Sequence, residues 1–175
     1  MAEVAVRFAI PSEPLRPFIS TYWELEAIGD GLVEGMLHPE WANIRTTLDS
    51  IWSYGPTKEE VAELSTPIII HGPTSRPTYI NGVAGRNFGI GILPTGWSRI
   101  IRADASLYAD QFPPLAQVLG GDAEALFEVI KRQPDFASRA AAAAKARAAM
   151  FGQPPQGLHQ TEKNQDGKRQ YRWLK

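Results

Sequence analysis

The sequence predicts an α+β fold, in which a β-barrel or β-sandwich body of about seven strands precedes three or four helices. Three observations point there. Apolar and polar residues alternate with period two in successive short runs from Val4 to Ile92, the pattern of strands with one buried face. That alternation stops after Pro94, Thr95, Gly96 and Trp97, where helix signals take over. Between these regions, residues 68–97 read as three consecutive strands with turn residues at Gly72 and Pro73 and at Asn81 and Gly82. The resulting division is a β body over residues 1–97, a helical region of the same domain over 98–150 and a disordered tail over 151–175.

In the first strand Val4, Val6, Phe8 and Ile10 alternate with Glu3, Ala5, Arg7 and Ala9, and Pro11, Pro14 and Pro17 end it. A second strand, from Ile19 to Ala27, sets Thr21, Trp23 and Leu25 on one face and Tyr22, Glu24 and Glu26 on the other. Gly29 and Gly31 turn the chain into a short strand over residues 32–37. A longer strand over residues 40–53 opposes Ala42, Ile44, Thr46, Leu48 and Trp52 to Asn43, Arg45, Thr47 and Asp49. Thr57 and Glu60 have the spacing of a capping box, so residues 58–64 read as one helical turn or as an acidic surface loop.

Asn81 and Gly82 tolerate the positive φ angles of a tight hairpin turn. In the strand after them Phe88, Ile90 and Ile92 alternate with Gly89 and Gly91, so one face is bulky and the other nearly bare. Glycine inside a strand is costly and marks a bend or a close approach, which implies a curved sheet with something packed over the bare face. Residues 98–109 read as short helical pieces, and Pro113 and Pro114 stand where a helix can begin. Asp122 is a candidate cap for a helix with the stripe Leu126, Phe127 and Ile130, and Asp135 for the last helix. Alanine dominates that helix from Ala140 to Ala149; it packs through its small surface or stands as a partly solvated spacer.

Hydrophobic residues make up 43% of the chain and include five Trp, ample for a core. Cysteine is absent, which removes disulfides, thiol nucleophiles and thiolate metal sites together. No apolar run is long enough to cross a bilayer and no secretory signal precedes the first strand, so the expected setting is cytoplasmic, with no membrane contact. Residues 1–138 carry ten Lys and Arg against seventeen Asp and Glu, a balance of −7, whereas residues 139–175 balance at +6. An acidic body is a poor electrostatic platform for nucleic acid.

Catalytic patterns are absent. The three histidines, His38, His71 and His159, fall in no metal-binding spacing, although His38 and His71 could meet beside a carboxylate such as Glu40. No serine stands in a nucleophile elbow, and Gly89 and Gly91 precede a strand rather than the helix N-terminus of a phosphate loop. No cofactor is expected. A cavity for a small molecule fits better, with aromatic walls and few polar groups. The candidate walls are Tyr22, Trp23, Trp41, Tyr79 and Trp97. The candidate polar groups are Asn43, Arg45 and His71. A strand arginine among apolar residues needs a partner: an internal acid such as Asp49 or Glu24, or an anionic ligand.

The order of several segments resembles the N-terminal domain of AraC/XylS-type transcription regulators. These are PLRPFI from Pro14 to Ile19 with Tyr22 and Trp23, HPEWANIR from His38 to Arg45, and His71, Gly72 and Pro73. FGIGILP from Phe88 to Pro94 with Gly96 and Trp97, then Leu115 to Gly120 and Ala125 to Ile130, complete the set. The resemblance covers about residues 8–150 and implies a cupin-like β-barrel followed by helices. In that family this half senses a small effector and often dimerises, while a C-terminal pair of helix-turn-helix units binds DNA. The DNA-binding half would begin near residue 150 and need roughly a hundred residues more, where this sequence has a polar tail without a helix-turn-helix pattern. The alanine run also lacks the larger apolar residues of a dimerising helix. The expectation is a non-catalytic effector-sensing and dimerisation domain, with an unknown small-molecule effector, a homodimeric partner and no DNA binding by this chain alone. The alternatives are a stand-alone cupin-like enzyme acting on a small molecule, and a module that forms mixed dimers with intact regulators.

Overall fold

The computed structural model describes residues 3–150, with side chains through residue 146; the expected disordered tail and His159 lie outside them. Among the described residues nine strands form two sheets, and helices follow, so the class is α+β. The strands are β1 (Glu3–Ala9), β2 (Ile19–Ile28), β3 (Val33–Leu37), β4 (Asn43–Thr47), β5 (Trp52–Gly55), β6 (Ala62–Glu63), β7 (Ile68–His71), β8 (Thr78–Gly82) and β9 (Gly85–Ile92). One sheet has the order β1-β2-β9-β4-β7 and the other β3-β8-β5-β6, antiparallel throughout. The sheets face each other as a sandwich and do not close into a barrel.

Some expected features differ. The strand over residues 40–53 is two strands in different sheets, because the chain turns at Asp49. Leu48 N donates to Arg86 O, and the Asp49 carboxylate accepts from the Arg86 backbone amide and side chain. This clamp fixes where the chain leaves the first sheet. Asn81 and Gly82, expected as a hairpin turn, are paired residues of β8, held by β3 on one side and β5 on the other. A Cβ on Gly82 would overlap the Trp52 ring directly across from it, so this glycine serves packing. The turn falls just beyond, where Gly85 takes φ +133°, a conformation L side chains avoid. Of the two readings of residues 58–64 the loop is the one found, with turns leading into β6 and no helical turn. Gly55 lies so close to Glu60 O that a Cβ could not fit, and this holds the chain in a tight return.

The helices are α1 (Pro94–Gly96), which runs into a π-helical turn Trp97–Ile101, then a 3₁₀ turn Ala105–Tyr108, α2 (Ala116–Leu119), α3 (Asp122–Lys131) and α4 (Phe136–Met150). Asp122 is the first residue of α3, with Gly121 before it and no side-chain cap. Asp135 does cap α4, accepting from Ser138 N at 2.8 Å. None of the described helices is long and apolar enough to cross a membrane.

The bulky face of β9 looks at these helices. Phe88, Ile90 and Ile92 join Ile44 of β4 and Ile70 of β7 in one core with Leu126 and Ile130 of α3 and Ala140 and Ala143 of α4. The alanine helix thus packs through its small surface. It also buries a charge: Arg139 Nη1 donates to Glu24 Oε2 at 2.7 Å, with the two side chains only 3% and 2% exposed. Glu24 comes from the helix-facing side of β2, so this pair pins α4 to the sheet.

Removing one member of a buried ion pair costs about 3–5 kcal/mol, because the other charge stays buried alone. Arg139→Ala is therefore expected to lower unfolding free energy in urea by about that much, moderated by Arg7, whose Nη1 lies 3.7 Å from Glu24 Oε1. The double variant Arg139→Met with Glu24→Gln should recover most of the loss; equal losses in the single and double variants would contradict the assignment.

Candidate ligand-binding cavity

The bare face of β9 looks at the second sheet, and a cavity of about 350 Å³ lies between them. Its first wall follows from sequence alternation. Trp23 faces Gly89 across the β2–β9 pair, and a Cβ on Gly89 would fall inside the Trp23 indole. The missing side chain is what lets the indole lie against the sheet. The opposite wall repeats the arrangement, with Trp52 over Gly82 and with Tyr54 and Ile80 beside it. Phe8 and Trp41, 70% and 60% exposed, flank the mouth.

Trp23, Asn43, Glu40 and Arg45 form one polar network in the cavity wall. Asn43 Oδ1 accepts from Trp23 Nε1 at 3.2 Å, while its Nδ2 donates to Glu40 Oε2 at 3.1 Å and to Trp41 O at 2.8 Å. Arg45 Nη2 donates to Glu40 Oε1, and the guanidinium lies 5.1 Å from the Trp23 ring centroid and 5.7 Å from that of Tyr54. Such stacking suits arginine, a planar and weakly hydrated cation. The Nε of Arg45 is buried and has no hydrogen-bond partner in the protein.

Behind this pair lies His71, fully buried against Phe112 and Tyr54. Its Nδ1 is 3.8 Å from Glu40 Oε1. Burial pushes its pKa down to about 2, and the nearby Arg45 charge acts in the same direction, against a smaller opposing effect of the Gly72 backbone. The imidazole is thus neutral at physiological pH. Among the described residues no cluster of three or more His, Asp or Glu is placed to hold a metal ion.

Of the residues selected from sequence, Trp23, Trp41, Asn43 and Arg45 line this cavity. His71 supports it from behind. Tyr22 lies on the helix-facing side of β2, stacked on Phe88 at 6.3 Å. Tyr79 donates from its hydroxyl to Glu34 at 2.5 Å, away from the cavity residue Ile80. Trp97 donates to Ala103 O at 2.8 Å and packs against Tyr108. The partner of Arg45 is Glu40 and neither of the two expected acids, since Asp49 clamps Arg86 and Glu24 holds Arg139. Trp52, Tyr54 and Glu40 were not selected as lining residues from sequence. For Trp52 the signal was available in principle, since Trp23 and Trp52 each stand across from a strand glycine.

No family model matches the chain, and no curated protein matches it. Among solved structures, the crystal structure of the AraC-like transcriptional activator CuxR is similar at a TM-score of 0.40 and 10% identity. The match covers 89% of this chain, which spans 66% of that structure's length.

Two measurements check this geometry. Because the folded pKa of His71 lies far below its ordinary 6.5, the unfolded chain binds a proton that the folded chain refuses, and stability falls as pH drops below about 6.5. The loss is about 2 kcal/mol between pH 7 and pH 5, and His71→Gln should show a decline smaller by that amount. Gly89→Val should displace the Trp23 indole, shift its fluorescence and cost about 1–3 kcal/mol by overpacking; an unchanged emission spectrum would contradict the Trp23–Gly89 packing.

Proposed function

We propose that the chain is a non-catalytic small-molecule-sensing domain of an AraC-type transcription regulator, on a cupin-like scaffold, that pairs with a second copy and does not by itself hold an operator. The observation that carries this reading is the cavity: aromatic walls on both sheets, with Asn43 and the Arg45–Glu40 pair at its side. Apolar walls with few convergent polar groups are what small-molecule sites are made of. The order of segments shared with the N-terminal domain of those regulators adds to it.

The route from ligand to output is short. Trp23 touches the cavity, and the next residue, Glu24, holds Arg139 of α4 on the opposite side of the same strand. A ligand acts through this route only by binding one arrangement of β2 and α4 more tightly than the other.

The test is a thermal-melt screen of small molecules against the purified chain. A ligand present at a hundred times its Kd should stabilise by about 2.7 kcal/mol, and Trp41→Ala at the exposed mouth should weaken binding while the protein stays folded. Light scattering should show self-association. Stoichiometric Fe, Mn or Zn in the purified protein, or sequence-specific, salt-resistant DNA binding by this chain, would overturn the reading.

A further inference from the structure

We infer that two copies of this chain pair through the outer edge of β1, antiparallel about Ala5, so that their five-stranded sheets run on into one. This rests on the proposed self-pairing of the chain and names the surface that carries it.

β1 is an unprotected edge. The other edge of the same sheet, β7, is closed by the chain itself: Ile70 N donates to Pro113 O, Gly72 N to Gln111 O and Leu115 N to Ile68 O. Among the described residues nothing pairs with the outer side of β1. The strand is seven residues long and keeps an unbroken register with β2 from Glu3 to Ala9. It carries no lysine, proline or bulge, the usual guards of an open edge.

The direction of its free backbone groups follows from the inner strands. Leu48 N donates to Arg86 O and Ile92 N to Ala42 O, so even-numbered residues of β9 bond toward β4 and odd-numbered ones toward β2. In antiparallel pairs this alternation passes from strand to strand. Through the registers of β9 with β2 and of β2 with β1, Glu3, Ala5, Arg7 and Ala9 bond to β2. Val4 and Val6 therefore turn their N–H and C=O groups outward.

A second copy is the occupant because the strand complements itself. Read in opposite directions about Ala5, Val4 meets the partner's Val6 and Glu3 meets the partner's Arg7, and the reverse. Such a two-fold contact is isologous. The valine pairs exchange both backbone hydrogen bonds, and they cover side chains that are 42% and 47% exposed in one copy. The Glu3–Arg7 pairs are of the close, non-hydrogen-bonded kind, where opposite charges stabilise. Arg7 bonds Glu26 through Nη2 yet stays 54% exposed, with further guanidinium donors for a second carboxylate. Ala5 falls on the axis, where facing side chains come closest and a methyl group fits.

The chain has no cysteine, so a single introduced thiol reads the contact. Ala5→Cys puts two thiols on Cα atoms about 4.5 Å apart across the axis, within disulfide reach. The full-length variant, oxidised at a concentration where light scattering finds the native chain dimeric, should cross-link at least ten-fold faster than Leu107→Cys in the exposed 3₁₀ turn. Val4→Pro removes an outward amide that the fold of one copy does not use. It should weaken self-association at least ten-fold with an unchanged circular-dichroism spectrum. If the native chain is dimeric but Ala5→Cys links no faster than Leu107→Cys, or Val4→Pro pairs as tightly as the native chain, the β1 interface falls while self-pairing stands. If the native chain is monomeric at every concentration, both fall, and the sensing reading keeps its own test in the ligand screen.

Discussion

Trp23 can stand between the two sheets only because its cross-strand partner, Gly89, has no side chain. The constraint organises much of the structure. With the indole lying on the bare face of β9, Asn43 receives its N–H and Arg45 stacks on its ring. The bulky face of the same strand is then free to build the core with the helices. One strand thus separates a solid hydrophobic interior from a partly open polar-aromatic one. Period-two alternation, taken to an extreme of Phe and Ile against Gly, is the physical basis of that separation.

Each face of the five-stranded sheet carries a buried arginine paired with a carboxylate, and the two pairs differ in what surrounds them. Arg139 and Glu24 are sealed between sheet and helix, where a dry pair is weak as a source of stability but strongly sets register. Arg45 and Glu40 border a cavity, and Glu40 is much more exposed than Arg45. Water or a ligand can therefore reach the carboxylate, whereas the guanidinium is held by two rings. The first pair behaves as a fastener, whereas the second sits at the edge of the cavity with its charge balanced.

The alternation on β1, β2, β4 and β9 was legible from sequence, and with it the faces of Trp23, Asn43 and Arg45. Contacts made at long range were not. Nothing local marks Asp49 as the point where the chain changes sheets, since its clamp, Arg86, lies 37 residues away. Asn81 and Gly82 have the local chemistry of a hairpin turn, yet pairing on both sides of β8 and the Trp52 ring over Gly82 outweigh it. Tyr22 and Trp23, both candidate walls, are adjacent strand residues and so point to opposite faces. Respecting that rule would have assigned Tyr22 to the core with Phe88. Tyr79, one residue before Ile80, leaves the cavity by the same geometry.

The same rule explains why the cavity and α4 are hard to decouple. Moving β2 by one residue would carry Glu24 into the cavity and Trp23 into the helix-packed core, a reversal that alternation makes prohibitively costly. The register with β9 runs from Ile19 to Ala27, with a single irregularity between Ile19 and Thr21. A displacement of the Trp23 ring therefore cannot be accommodated by sliding the strand. It must tilt or shift β2 as a body, and Glu24 must move with it. Since Arg139 is held to that carboxylate within a dry contact, α4 either follows or breaks a buried ion pair, and following is the less costly outcome.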